Sequence, residues 1–359
     1  MLMQNWPHEV SSRTVGVSSP DLRERVVMDR TRSRTLRRAG GVVLALAGAA
    51  SVAAATAPAG AETLTLSSAK SFTVQYRGNG HGHGLSQYGA RGAAMAGKGY
   101  KQILAFYYPG TTLTRQPSRI IRVRLTGTGS TLTIKAQSLT TVTGVKGYLP
   151  TAGVSKYRLI ADARSGLTLQ KLGTAKGATW TNVRAGLPNR AEFYRHGGVP
   201  TRLYETGGTS TDYDGYLRAV RSGSGVYTVD RVVLDLYTAG VVPREMPASW
   251  QRAAVDAQAV AARTYGANAM RSAQSSEYDI CATTQCQVYG GHAHYDSAGR
   301  LLYSRYLPAA SDTSNQVLTY KGAPIFAQFS ASNGGWTVAG GQPYLVAKAD
   351  PYDTAASGD

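Results

Sequence analysis

The sequence predicts an α+β fold, and three observations carry that prediction. Residues 118–230 alternate apolar and polar side chains between glycine-rich turns, as where Ile121, Val123 and Leu125 interleave with Arg122 and Arg124. Two other stretches repeat small or apolar residues at helical spacing: Ser86–Tyr108, closed by Pro109-Gly110, and Ser249–Met270. The chain has 359 residues, 42% of them hydrophobic, enough to bury one large core or two moderate ones. The expected arrangement is a mixed core around a buried small-residue helix, plus a β-rich inserted or middle region.

From the amino terminus, Met28 precedes five arginines (Arg30, Arg32, Arg34, Arg37, Arg38) and a small, apolar run from Gly41 to about Ala57. Pro58 breaks the run, and Ala59-Gly60-Ala61 fits a cleavage site. This order of basic, apolar and small-residue regions predicts a signal peptide over 1–61, Met28 being a candidate start. The run is Ala/Gly-rich and short for a membrane span. A secreted protein is therefore expected, with membrane contact only through an uncleaved leader.

Residues 62–80 predict a leading strand with Phe72, Val74 and Tyr76 on one face. Turns at Thr206–Thr209 and Ser222–Gly225 punctuate the β-rich stretch. Val232–Val242 is apolar and strand-like. Ser249 is then the expected N-cap of the best helix in the chain. In it Ala254, Ala257, Ala261 and Tyr265 recur at three to four residues, so another backbone can approach closely. The chain stops at Asp359 in a polar stretch with no closing element, compatible with a longer natural chain.

Composition narrows the partners. There are 39 Lys+Arg against 21 Asp+Glu, a formal charge of +18. Residues 1–61 hold 8 basic and 4 acidic side chains, so the remainder keeps 31 against 17, or +14. That surplus suits polyanionic surroundings such as nucleic acid, anionic lipid or an anionic wall. Residues 62–359 hold no concentrated Lys/Arg block, so nucleic acid is not favoured. No Walker or dinucleotide fingerprint occurs, and Gly84–Gly89 is not a Gly-x-Ser-x-Gly elbow.

Glu245, in Pro243-Arg244-Glu245-Met246-Pro247, is the leading candidate for chemistry. A carboxyl between an apolar run and a helix start can lose water and keep its proton near neutrality. A helix N-terminus would pull the other way. The competing reading is a capping or salt-bridged Glu, with Arg244 or Arg263 as partner. The two cysteines, Cys281 and Cys286, could form a disulfide outside the cytoplasm, stay as thiols or bind a metal.

Four motifs then carry a resemblance. Leu234–Tyr265, containing Gly240-Val241-Val242-Pro243-Arg244-Glu245-Met246-Pro247 and Ala257-Gln258-Ala259-Val260-Ala261-Ala262-Arg263-Thr264-Tyr265, resembles the signature of the sporulation stage II protein D / LytB amidase-enhancer family. Cys281-Ala282-Thr283-Thr284-Gln285-Cys286-Gln287-Val288-Tyr289-Gly290-Gly291 is similar to its central motif. So are Phe329-Ser330-Ala331-Ser332-Asn333-Gly334-Gly335-Trp336-Thr337 and Gly80-His81-Gly82-His83-Gly84-Leu85-Ser86-Gln87-Tyr88-Gly89-Ala90. The histidine motif precedes the Glu245 segment, whereas in most relatives it follows, an arrangement resembling circular permutation.

The resemblance implies a lytic transglycosylase that cleaves between N-acetylmuramic acid and N-acetylglucosamine and leaves 1,6-anhydro ends. It implies Glu245 as the acid/base. One carboxyl can suffice, because the muramyl C6 hydroxyl replaces an activated water. His81, His83, Ser86, Gln87, Tyr88, Gln258, Arg263, Gln287, Ser332, Gly334 and Gly335 are the expected substrate-contacting residues. For the histidines an exposed glycine-rich turn, and less readily a metal site, remain open. Gln258 and Arg263 could equally be structural. Some relatives hold zinc with this cysteine pair plus histidines, one directly before the second Cys. Here that place is Gln285, so a Cys281–Cys286 disulfide is expected, with no zinc and no cofactor. The expected partners are peptidoglycan glycan strands and a cell-wall amidase or other hydrolase. The alternative is a non-catalytic wall-binding protein that activates such an amidase. The implied division is 1–61 leader, 62–117 histidine-motif segment packing on the core, 118–230 β-rich region and 231–359 catalytic core.

Overall fold

The computed structural model describes residues 78–163 and 166–353, together with the backbone of Ser11–Gly16, Val42–Ala45 and Ser71–Tyr76. Those three strands pair antiparallel, with Ser71–Tyr76 in the middle, the strand expected through Phe72. The leader expectation and its cleavage site otherwise lie outside the described residues. Among the described residues no helix is long and apolar enough to cross a membrane.

Two sheets are built mainly from the β-rich stretch. One has eight strands in the spatial order Trp180–Leu187, Leu167–Gly173, Val154–Ala161, Leu132–Lys135, Thr201–Tyr204, Ser210–Tyr213, Ala293–Tyr295 and Leu301–Ser304. The other has six: Ile280–Cys281, Ile120–Arg124, Gly225–Val233, Tyr216–Ser222, Glu192–Arg195 and Thr140–Val142. Their alternating apolar residues share one core, in which Ile121, Val123, Leu132, Leu159, Phe193 and Leu217 are fully buried. The last strands of each sheet come from beyond residue 231, and Gly225–Val233 runs across the expected 230/231 boundary. On the other face of the strand Ile120–Arg124, Arg122 pairs with Asp279, and exposed Arg124 lies over the rings of Tyr227 and Tyr278.

A second core is helical. α1 (Gln87–Met95) and α2 (Tyr100–Tyr107) come from the stretch read as helical; α3 spans Leu234–Glu245, α4 Arg252–Ala269 and α5 Leu307–Asp312. Ala254, Ala257 and Ala261 of α4 have no exposed surface, and their small side chains let α1, α2 and the strand Gln316–Tyr320 approach. Two expectations change here. The run from Leu234 to Val242 is helix rather than strand, and α4 starts at Arg252 with Gln251 as N-cap, leaving Ser249 exposed in the preceding turn.

The helix α3 tolerates Pro243 in its last turn for a visible reason. Proline has no N–H to offer the carbonyl four residues back. That carbonyl, on Ala239, instead accepts the N–H of Tyr306 at 3.0 Å.

Candidate active site

Glu245 is the last residue of α3, so it faces the negative end of that helix dipole rather than the positive end expected from sequence. It is partly buried. The N–H of Val288 donates to its Oε1 at 2.9 Å, and the side chain of Gln87 provides a further hydrogen bond. Burial is the largest influence and raises its pKa above the usual carboxyl range. The two hydrogen bonds and the charge of Arg244 oppose that rise without cancelling it. Neither proposed ion-pair partner holds it fast: Arg244 lies over the Tyr303 ring at 4.7 Å, and Arg263 is committed elsewhere.

Two chain-distant motifs supply these contacts. Val288 is held by its neighbours: the Gln287 Oε1 accepts from Tyr237 at 2.8 Å, and Tyr289 donates to buried Asp230 at 2.8 Å. Just before them, Cys281 and Cys286 are joined in a disulfide with Cα atoms 5.7 Å apart. The loop thereby delivers a backbone donor to the acid. Gln87 comes from the histidine motif, in which Leu85–Ser86 pairs parallel with Phe329–Ser330. The two glycine-rich motifs therefore meet beside α3 although about 245 residues separate them.

The other expected site residues divide. Tyr88 packs on Trp250 with ring centroids 4.9 Å apart, and Arg91 covers the same indole, giving a partly exposed aromatic edge next to Gln87. His81 and His83 stack at 5.0 Å; His81 Nδ1 accepts the His83 N–H, and His83 Nδ1 lies 3.2 Å from the Val338 carbonyl oxygen. Ser86 caps α1 by accepting from Gly89 at 3.0 Å. Ser332 and Gly334 turn inward: the Ser332 hydroxyl and the Asn333 and Gly334 N–H groups all point at the Asp353 carboxylate, at 2.9, 2.5 and 2.9 Å. Gly334 and Gly335 have φ of +69° and +99°, the left-handed backbone this wrap requires. Gly335 closes it by donating to the Asn333 side chain.

Arg263 does not belong to the site. It is 1% exposed, pairs with Asp235 at 2.6 Å, and donates to Thr313 and to the carbonyls of Ala310 and Gln316. Asp235 and Glu245 stand at opposite ends of α3, roughly 15 Å apart along the axis. Gln258 has no exposed surface, and neither polar atom of its side-chain amide finds a partner among the described residues, so it is sealed from substrate.

Sequence reading passed over Val288, which acts through its backbone, and the acids Asp350 and Asp353. Asp350 accepts from Tyr107 and Asn333, both at 2.7 Å, and so ties α2 to the last glycine motif. Asp350-Pro351-Tyr352-Asp353 does carry a signal: two acids three residues apart, next to a glycine-rich segment that can wrap them.

Fold and site together define an α+β protein in which one largely buried carboxyl with a raised pKa sits where three glycine-rich motifs converge. Residues 222–320 match the family model for stage II sporulation protein, SpoIID, and the chain is similar there to proteins of the SpoIID/LytB family. That stretch contains Glu245 and the cysteine loop. An amidase enhancer of Bacillus subtilis (strain 168) is 40% identical over 120 residues, 32% of this chain and 15% of that protein. Stage II sporulation protein D of the same organism is 32% identical over 142 residues, 35% of this chain and 41% of that protein. Its counterpart in Bacillus amyloliquefaciens is 31% identical over 145 residues, with the same shares. The chain thus spans well under half of these relatives. No solved structure matches it.

Proposed function

We propose that this chain is a secreted cell-wall protein acting as a lytic transglycosylase on peptidoglycan, with Glu245 as general acid and base. The observation that carries the reading is the setting of Glu245: a carboxyl whose pKa burial raises, yet partly open to solvent and held in place by Val288 and Gln87. Protonated, it gives its proton to the glycosidic oxygen as the bond from muramyl C1 breaks. As carboxylate, it takes the proton of the muramyl C6 hydroxyl while that oxygen bonds to C1. The proton count closes, no water is consumed, and the product is a 1,6-anhydro end. The aromatic edge of Tyr88 and Trp250 suits the apolar face of a sugar ring.

The test is digestion of purified glycan strands with wild type and Glu245→Gln, read by mass spectrometry. Wild type is expected to release anhydro-muramyl ends and the variant none. A carboxyl with a raised pKa contributes stability that is intact below its unfolded value and is lost as pH climbs. Glu245→Gln should therefore fold at least as stably at neutral pH, which keeps the comparison clean. Folded wild type that yields no anhydro ends would sink the enzyme reading.

A second reading has its own support. The 40% identical relative is named for enhancing an amidase, and a wall-bound activator could keep the fold without the chemistry. Under that reading Glu245→Gln still stimulates a cell-wall amidase as well as wild type.

A further inference from the structure

The eight-stranded sheet packs one face into the shared core and turns the other outward. Register places two rows of side chains across that outer face. In the first, Trp180 and Lys156 flank Leu172, Lys156 lies directly opposite Lys135, and Arg202 pairs with Asp212 on the next strands. In the second, Asn182, Gln170, Arg158 and Thr133 follow one another. The rows are woven together by cations lying on rings. Arg158 covers Trp180 at 4.1 Å, Lys156 covers Tyr204 at 4.0 Å, and Arg202 covers Tyr295 at 3.8 Å.

Three features make this face a receiver of negative charge. Lys135 and Lys156 are cross-strand neighbours of like sign, a pairing that costs stability unless an anion lies between them. Among the described residues no carboxylate pairs with Lys135, Lys156 or Arg158, whereas Arg202 is matched by Asp212. Lys156 and Arg158 are also ordered in advance, by the rings and, for Arg158, by an Arg158–Gln170–Asn182 hydrogen-bond chain of 2.7 and 2.8 Å, so little of their side-chain freedom is lost on binding.

We propose that this face docks a phosphodiester-linked glycopolymer of the bacterial wall. Charge complementarity selects a polyanion. Nucleic acid is not favoured, because each of the three rings already has a cation on one face, which leaves less of it for a base to stack on. A flexible chain of sugars or polyols bearing regularly spaced phosphates needs only the cations and the polar row beside them. The proposal rests on the wall location put forward above and is independent of Glu245.

The test is co-sedimentation of the full chain with Gram-positive sacculi. One batch is untreated; the other is stripped of phosphodiester polymers by hydrofluoric acid, which leaves the peptidoglycan. Three exposed ion pairs of ordinary strength predict about tenfold weaker retention on stripped sacculi, and the same loss for Lys135→Gln/Lys156→Gln/Arg158→Gln on untreated ones. Retention by untreated sacculi should also fall between about 0.1 M and about 1 M salt as the Debye length shrinks. Release of anhydro ends from naked glycan strands should be the same for wild type and triple variant, which separates failure of docking from failure of the catalytic reading. Equal retention on both sacculi, a triple variant that binds like wild type, or duplex DNA competing as well as soluble wall polymer would each overturn it.

Discussion

Replacing Asp230 by asparagine should stabilise this protein, and the size of the effect follows from its surroundings. Asp230 lies in the strand Gly225–Val233 with no exposed surface. Its Oδ2 accepts from Tyr289, while Oδ1 has no partner among the described residues. Burial pushes its pKa from 3.8 to about 8; the Tyr289 hydrogen bond opposes the shift and the nearby Asp214 charge adds to it. At pH 7 the unfolded chain ionises this group freely and the folded chain does not, a difference of about 1.36 × (7 − 3.8), or ~4 kcal/mol against folding. The sign is that of a raised carboxyl. The stability it contributes is intact below about pH 4 and is lost progressively as pH climbs to about 8. Asp230→Asn removes the ionisation and keeps an acceptor for Tyr289, so it should gain up to about 4 kcal/mol at pH 7, less the cost of its extra amide hydrogens. Urea unfolding at several pH values from 4 to 9 is the assay. Wild type should weaken by about 1.4 kcal/mol per pH unit across the window and the variant far less. A variant less stable than wild type at pH 7, with an unchanged pH slope, would refute the assignment of Asp230 as a protonated buried acid.

Other outcomes follow from the same contacts. Arg263→Met strands Asp235 at the start of α3 and empties three further hydrogen bonds, so chemical unfolding should show a loss of about 3–5 kcal/mol, partly recovered by adding Asp235→Leu. Cys281→Ser/Cys286→Ser opens a short loop; chain entropy predicts about 2 kcal/mol less stability by thermal unfolding. Its glycan cleavage should also drop, because Val288 follows that loop closely. Gln87→Ala removes a hydrogen bond that favours the Glu245 carboxylate, so the pKa rises further. The alkaline fall in anhydro-end release should then move to higher pH.

Much of the fold was legible because its periods are clean. Ile121–Leu125 alternates as a half-buried strand must, and the alanine spacing of α4 announces a helix that others pack against. The stretch Val232–Val242 was not legible in the same way. It is mostly apolar, with only Asp235 and Thr238 to mark a face, so neither period shows, and the strand Gly225–Val233 passes into α3 across the apolar run Val232-Val233-Leu234. Nor can sequence reveal that Tyr306 satisfies the carbonyl that Pro243 leaves free inside the helix. Glu245 and Gln87 were singled out from their motifs, but Val288 could not be, because its contribution is an amide that every residue but proline possesses. Ser332 and Gly334 looked like a ligand cradle; the anion they cradle is the protein's own Asp353. Arg263 stood in a motif beside the acid, yet the rotation of α4 carries it to the far end of α3.

The parallel pairing of Leu85–Ser86 with Phe329–Ser330 has a consequence for timing. A chain emerging from its amino terminus displays Gln87 early, but the strand that fixes Gln87 beside Glu245 is made some 245 residues later. Contacts of such long range are slow to form and cannot be nucleated locally. The acid is thus fully clasped only after almost the whole chain has been delivered. A chain still being delivered would therefore lack its finished site.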